Sequence, residues 1–181
     1  ISRNSPDVEV TELQAPVIFM NVDLMAKASC VEFHHGSSAK FSMPTVIAGI
    51  GANANLEYTK ICTDGEAGRH LSTSFFYQDR DSSLRVNRAH LSENWIREDI
   101  HIFLQDSGAC CSLSSFAYLG GAQHSDLHSW IYHQVPDTQS KQLHKAVLDD
   151  RSRGVFNGAI RSEPNAQRSA SEQLAKSLLL S

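Results

Sequence analysis

Three residues, His124, Asp126 and His128, alternate through the segment Gln123-His124-Ser125-Asp126-Leu127-His128. On an extended strand, residues two apart project from the same face at a spacing of about 7 Å. Imidazole and carboxylate together can hold a divalent metal once neighbouring strands add ligands. His133 has the opposite parity. On a helix His124 and His128 would pair at i, i+4 as in H-E-x-x-H, but Ser125 stands where that motif needs its Glu. One reading is therefore a metal-binding β-protein or enzyme using His124, Asp126 and His128. The other is a polar ladder on the outside of a β-structure.

Gly49-Ile50-Gly51-Ala52-Asn53-Ala54 matches the spacing of the dinucleotide fingerprint and follows the strand-like Thr45-Val46-Ile47. The fingerprint works only if a helix opens at its last position, so that backbone N–H groups and the helix dipole meet a pyrophosphate. Here Asn55-Leu56-Glu57-Tyr58-Thr59-Lys60-Ile61 alternates like a strand, which makes the glycines a turn between strands. There is no G-x-S-x-G elbow and no G-x-x-x-x-G-K-[ST] loop. The charge-dense Asp149-Asp150-Arg151-Ser152-Arg153 reads as a solvated turn. Cys30, Cys62, Cys110 and Cys111 form no C-x-x-C and no zinc-finger spacing. They suit a reducing compartment as small buried hydrophobes.

The elements that must position these groups follow from composition and periodicity. The 181 residues, 41% hydrophobic and 20% charged, suffice for one domain with a real core. Sixteen Lys+Arg against 20 Asp+Glu give a net charge of −4, so no strongly basic face for nucleic acid is expected. The stretch Pro44 to Ala54 is too short and too interrupted for the roughly 20 residues of a bilayer-spanning helix, and no membrane association is expected. Ile1 to Leu24 lacks the pattern of a signal peptide. A first residue other than Met, and an end on Leu178-Leu179-Leu180-Ser181, suggest a fragment.

Short strand-like runs separated by Gly, Ser, Asn and Asp fill the chain from Val17 to Arg161, with centres roughly 11 to 16 residues apart. Arg97, Asp99 and His101 fall on one face and Ile96, Ile100 and Ile102 on the other, a period of two. Eleven or twelve strands without helices exclude a doubly wound α/β sheet and leave a sandwich, a jelly roll or a parallel β-helix. Ala170 to Leu180 alone leans toward a helix, because Leu174 and Leu178 sit four apart among good helix formers, and its state stays open. Residues 1–14 read as a loose polar leader and 15–181 as one core domain.

From about Cys30 onward the chain resembles the SufB/SufD family of the SUF iron–sulfur cluster assembly machinery, and it looks more like SufD. The residues that carry this are Val147-Leu148-Asp149-Asp150-Arg151-Ser152-Arg153-Gly154-Val155-Phe156-Asn157-Gly158-Ala159-Ile160, then Ala166-Gln167, Gln173 and Leu178-Leu179-Leu180-Ser181. Earlier matches are Gln78-Asp79-Arg80-Asp81-Ser82, Arg97-Glu98-Asp99-Ile100, and Asp126 with His128 and His133-Gln134-Val135-Pro136.

The resemblance implies an all-β, right-handed parallel β-helix, a single-stranded solenoid. It also implies a non-catalytic scaffold that pairs with a SufB-like paralogue and a SufC-like ATPase. The abrupt end at Leu178 to Ser181 separately suggests self-association as a homodimer. Because the family pattern continues past the L-L-L-S run, with further rungs and a C-terminal helical region, the resemblance implies a core truncated at its C-terminal end. No cofactor is expected in such a fragment, whereas iron or an iron–sulfur cluster belongs to the full complex. The expected compartment is the cytoplasm, or the plastid stroma in a plant or alga. No catalytic residue is carried over, since none of the four cysteines falls on a family motif.

Overall fold

A computed structural model describes residues 12–35, 40–63, 68–91 and 95–180. Every regular element among them is a β-strand. In chain order these are β1 (Glu12–Gln14), β2 (Val17–Val22), β3 (Lys27–His34), β4 (Lys40–Ser42), β5 (Thr45–Ile50), β6 (Asn55–Cys62) and β7 (Arg69–Gln78). There follow β8 (Ser83–His90), β9 (Trp95–Leu104), β10 (Cys110–Leu119), β11 (His124–His133), β12 (Gln139–Leu148), β13 (Arg153–Ser162) and β14 (Ala170–Leu179).

From β5 onward the strands belong alternately to two parallel sheets. One runs β1-β4-β7-β9-β11-β13, with β2 and β5 alongside, and the other runs β14-β12-β10-β8-β6-β3. Each strand pairs in parallel with the strand one coil further on, so that Asn55 lies beside Ser83, and Trp95 beside His124. The chain is thus a β-solenoid of about six coils, each contributing one stretch to either sheet.

Period-two patterning is what makes a coil close. From β5 to β11 the described residues alternate strictly between buried and partly exposed. Val46, Ala48, Ile50, Phe76, Ile102, Leu104, Leu127 and Ile131 point into one lumenal apolar cluster. No coil can bury that face until its neighbour stacks on it.

At one corner a residue in the left-handed region recurs once per coil: Met25, Asn53, Asp81, Gly108, Asp137 and Arg168. Their backbones link coil to coil, Asn53 N–H donating to Arg80 C=O, Asp81 to Ser107, Gly108 to Asp137 and Asp137 to Gln167. Asparagine, aspartate and glycine dominate because their short side chains tolerate positive φ. The Gly49 to Ala54 segment ends one such strand and turns this corner at Asn53, followed by β6 and not by a helix.

Ala170 to Leu179 is strand β14, paired over its whole length with β12. Ten residues of ladder override the modest helix preference of Glu, Gln, Ala and Lys, which amounts to a few tenths of a kcal/mol per residue. Of the polar leader, residues 1–11 lie outside the described residues, and Glu12–Gln14 forms β1 beside β4. No helix among the described residues is long and apolar enough to cross a membrane.

Candidate functional site

The sequence candidates sit on the outer face of β11. Asp126 and His128 come together there, with His128 Nε2 2.9 Å from Asp126 Oδ1. Arg97, one coil back on β9, places Nη1 3.1 Å from Asp126 Oδ2. Its Nη2 lies 3.4 Å from His128 Nδ1 and 3.3 Å from Asp99 Oδ1. A guanidinium thus occupies the centre of this group and neutralises the carboxylate. His124 is separate, its ring stacked on Trp95 with centroids 6.3 Å apart. His133 points inward, as its parity requires, and contacts Thr138 Oγ1 at 2.7 Å and Ser140 Oγ at 2.9 Å.

Beside this outer group runs an aromatic column along the same sheet. Phe75, His101 and Trp130 stack with centroids 5.0 and 4.5 Å apart, and Tyr77, Phe103 and Tyr132 follow at 4.9 and 4.6 Å. In-register parallel strands bring equivalent positions of successive coils about 4.8 Å apart, and flat rings fill that spacing face to face.

A larger concentration of chemistry lies inside the solenoid. Where β6 and β8 end and β7 and β9 begin, the inward positions carry Lys60, Cys62, His70, Ser72, Arg88, His90 and Glu98, all buried. Glu98 is the hub. Its carboxylate lies 3.0 Å from Lys60 Nζ, is ion-paired with Arg88 Nε, and accepts a hydrogen bond from Ser72 Oγ at 3.2 Å.

Lys60 is also 3.8 Å from Glu32, which contacts His34 and accepts from the Tyr58 hydroxyl. The two acids and two bases form a chain of opposite charges, the condition under which burial of charge is tolerated. Among the described residues, one group of His, Cys, Asp or Glu brings its ligand atoms within 4.8 Å of one another: Cys62, His70 and Glu98.

Burial sets the protonation of this interior. Burial raises the Glu32 carboxyl, but the His34 hydrogen bond and the Lys60 charge outweigh it and hold it down at about 2. Burial, with Lys60 nearby, keeps His70 neutral. Burial and Arg88 lower His144 to about 4, and burial lowers His133.

In the unfolded chain these histidines take up protons from about pH 6.5 downward, whereas the folded chain does not. The unfolded state therefore binds more protons, and stability falls as pH drops from about 6.5 toward 4. The Glu32 contribution, present above about pH 4.5, is lost in turn as pH falls toward 2. The midpoint of urea unfolding should consequently be lower at pH 5 than at pH 7.5. An unchanged or higher midpoint at pH 5 would show that these imidazoles are not buried neutral.

Sequence reasoning singled out the outer histidines and missed the lumenal charges. The available signal was parity: Lys60, Arg88 and Glu98 each share a strand face with apolar neighbours such as Tyr58, Val86 and Ile96.

Comparison with known proteins identifies a family. Residues 4–181 match the family described as SUF system FeS cluster assembly, SufBD core domain. The iron-sulfur cluster assembly SufBD family protein of Synechocystis sp. is 27% identical over 132 residues, 73% of this chain and 29% of the relative. The chloroplastic protein ABCI7 of Arabidopsis thaliana is 26% identical over 169 residues, 91% of this chain and 36% of the relative. The iron-sulfur cluster assembly protein SufD of Escherichia coli is 23% identical over 146 residues, 81% of this chain and 33% of the relative. The chain spans about a third of the length of these relatives. With a β-solenoid fold and a family match over nearly all of its length, the chain belongs to the SufBD family of the SUF iron–sulfur cluster assembly system.

Proposed function

We propose that this chain is a SufD-like scaffold, non-catalytic by itself, that works in a complex with a SufB-like paralogue and a SufC-like ATPase. The observation that carries the reading is the match of the SufBD core domain over residues 4–181, and the name of the Escherichia coli relative favours the SufD side. The interior chemistry is compatible with it. The lumenal charges of Glu32, Lys60, Arg88 and Glu98 pair with one another.

A homodimer is the competing assembly. Iron and sulfide, or the cluster built from them, are then cargo of the complex. The compartment is that of the SUF partners, cytoplasm or plastid stroma; one relative carries a chloroplastic name.

Co-expression of the tagged protein with the SufB-like and SufC-like proteins of the same source tests this. Both partners should be retained through affinity purification and a high-salt wash. Their loss, with the tagged protein recovered folded, would overturn the scaffold reading.

A further inference from the structure

We propose that Cys62, His70 and Glu98 form a lumenal site for one divalent transition-metal ion of the zinc class. These residues come from three strands, β6, β7 and β9, and are all buried. Their ligand atoms already lie within 4.8 Å of one another. Thiolate, imidazole and carboxylate are the donor types of zinc, at about 2.3, 2.0–2.1 and 2.0–2.2 Å. Three protein ligands leave a fourth position for water, the arrangement of open zinc sites.

A second observation points to a ligand. His70 is 1% exposed, and neither ring nitrogen has a hydrogen-bond partner among the described residues. A buried imidazole without partners on either nitrogen is rare. The His34 ring meets it edge-on, with centroids 4.6 Å apart, while Cys62 and Glu98 offer ligand atoms within 4.8 Å. The neutral ring that burial enforces is the form that binds metal.

The competing cations have somewhere to go. Lys60 Nζ sits between Glu98 at 3.0 Å and Glu32 at 3.8 Å, so an ion that takes one Glu98 oxygen displaces Lys60 toward Glu32 while Arg88 keeps the other oxygen. Binding replaces the Cys62 S–H by an S–metal bond and releases that proton to solvent. No electron changes hands. On the outer face the Arg97 guanidinium sits between Asp126 and His128 and occupies the space an ion would need.

The test is titration of the metal-free, reduced chain with Co²⁺ under anaerobic conditions near neutral pH. Saturation at one equivalent is expected, with a sulfur-to-cobalt charge-transfer band and the visible bands of a four-coordinate ion, all displaced by Zn²⁺. Cys62→Ser should abolish the charge-transfer band, and His70→Gln should weaken binding by about tenfold or more. Lys60→Met should tighten it, whereas Cys30→Ser, Cys110→Ser and His128→Ala should leave it unchanged. X-ray absorption of the zinc-loaded wild-type chain should show one sulfur among nitrogen and oxygen ligands, which keeps the test independent of any variant that fails to fold. No saturable band, an all-nitrogen-and-oxygen shell, a band that survives Cys62→Ser, or binding lost on His128→Ala would each overturn the proposal.

Discussion

Glu98→Ala is expected to destabilise the fold by about 3–5 kcal/mol, the cost of removing the shared anion from a buried ion network. Lys60 and Arg88 are 3% and 4% exposed, so neither can swing its charge into water when the Glu98 carboxylate is gone. Equilibrium urea unfolding measures the loss. The companion variant Glu32→Gln/Lys60→Met/Arg88→Met/Glu98→Met removes all four charges together. It should recover most of the lost stability, because well-packed apolar groups replace a buried ion network at little or no cost. If Glu98→Ala unfolds within about 1 kcal/mol of the wild type, the lumenal network is hydrated and carries no structural role. By contrast, Arg97→Ala on the outer face should cost less than about 1 kcal/mol, since the side chain is one-third exposed and surface ion pairs contribute little.

Phe76→Ala should cost about 3–5 kcal/mol, the range for emptying a buried aromatic site. Phe76 is fully buried at the centre of the lumenal cluster, and its ring lies 5.4 Å from that of Tyr58 on the opposite sheet. Its coil is flanked on both sides, so the cavity cannot collapse without shifting two neighbours, and stacked coils are stabilised only through such neighbour interfaces. Leu179→Ala, at a side chain 68% exposed on the last strand, should change stability by less than about 0.5 kcal/mol in the same chain. Similar losses for the two variants would contradict a stack of coils whose inner rungs are the most tightly packed.

How much of this was legible beforehand can be followed residue by residue. The alternation Ile96, Ile100, Ile102 against Arg97, Asp99, His101 is unambiguous, because parallel strands buried on one face keep a strict period of two. That pattern placed β9, and likewise β11, with nearly the observed bounds. Ala170 to Leu179 was not legible as β14, since Leu174 and Leu178 suit a helix period equally well and the ladder to β12 is a long-range fact that no local window contains. The corner at Asn53 was readable as a turn, but the stacking of left-handed residues once per coil depends on the register between coils.

The outer His124, Asp126 and His128 were found because they are adjacent in sequence. Cys62, His70 and Glu98 are 8 and 28 positions apart, in three different strands, and only the winding of the solenoid brings them together. Glu98 stood in plain view between Arg97 and Asp99, as one acid in a charged run. Its inward parity with Ile96 and Ile100, the sole clue to burial, was outweighed by the general rule that carboxylates stay in water.

The family assignment and the β-solenoid together make a positional role the centre of this account. Its most direct test is native mass spectrometry of the assembly eluted with the tagged protein after co-expression with its SufB-like and SufC-like partners. The scaffold reading predicts one dominant species containing this protein, the SufB-like paralogue and the SufC-like ATPase. A spectrum dominated by the tagged protein alone or by its homodimer, with both partners present in the lysate but absent from the species detected, would contradict it.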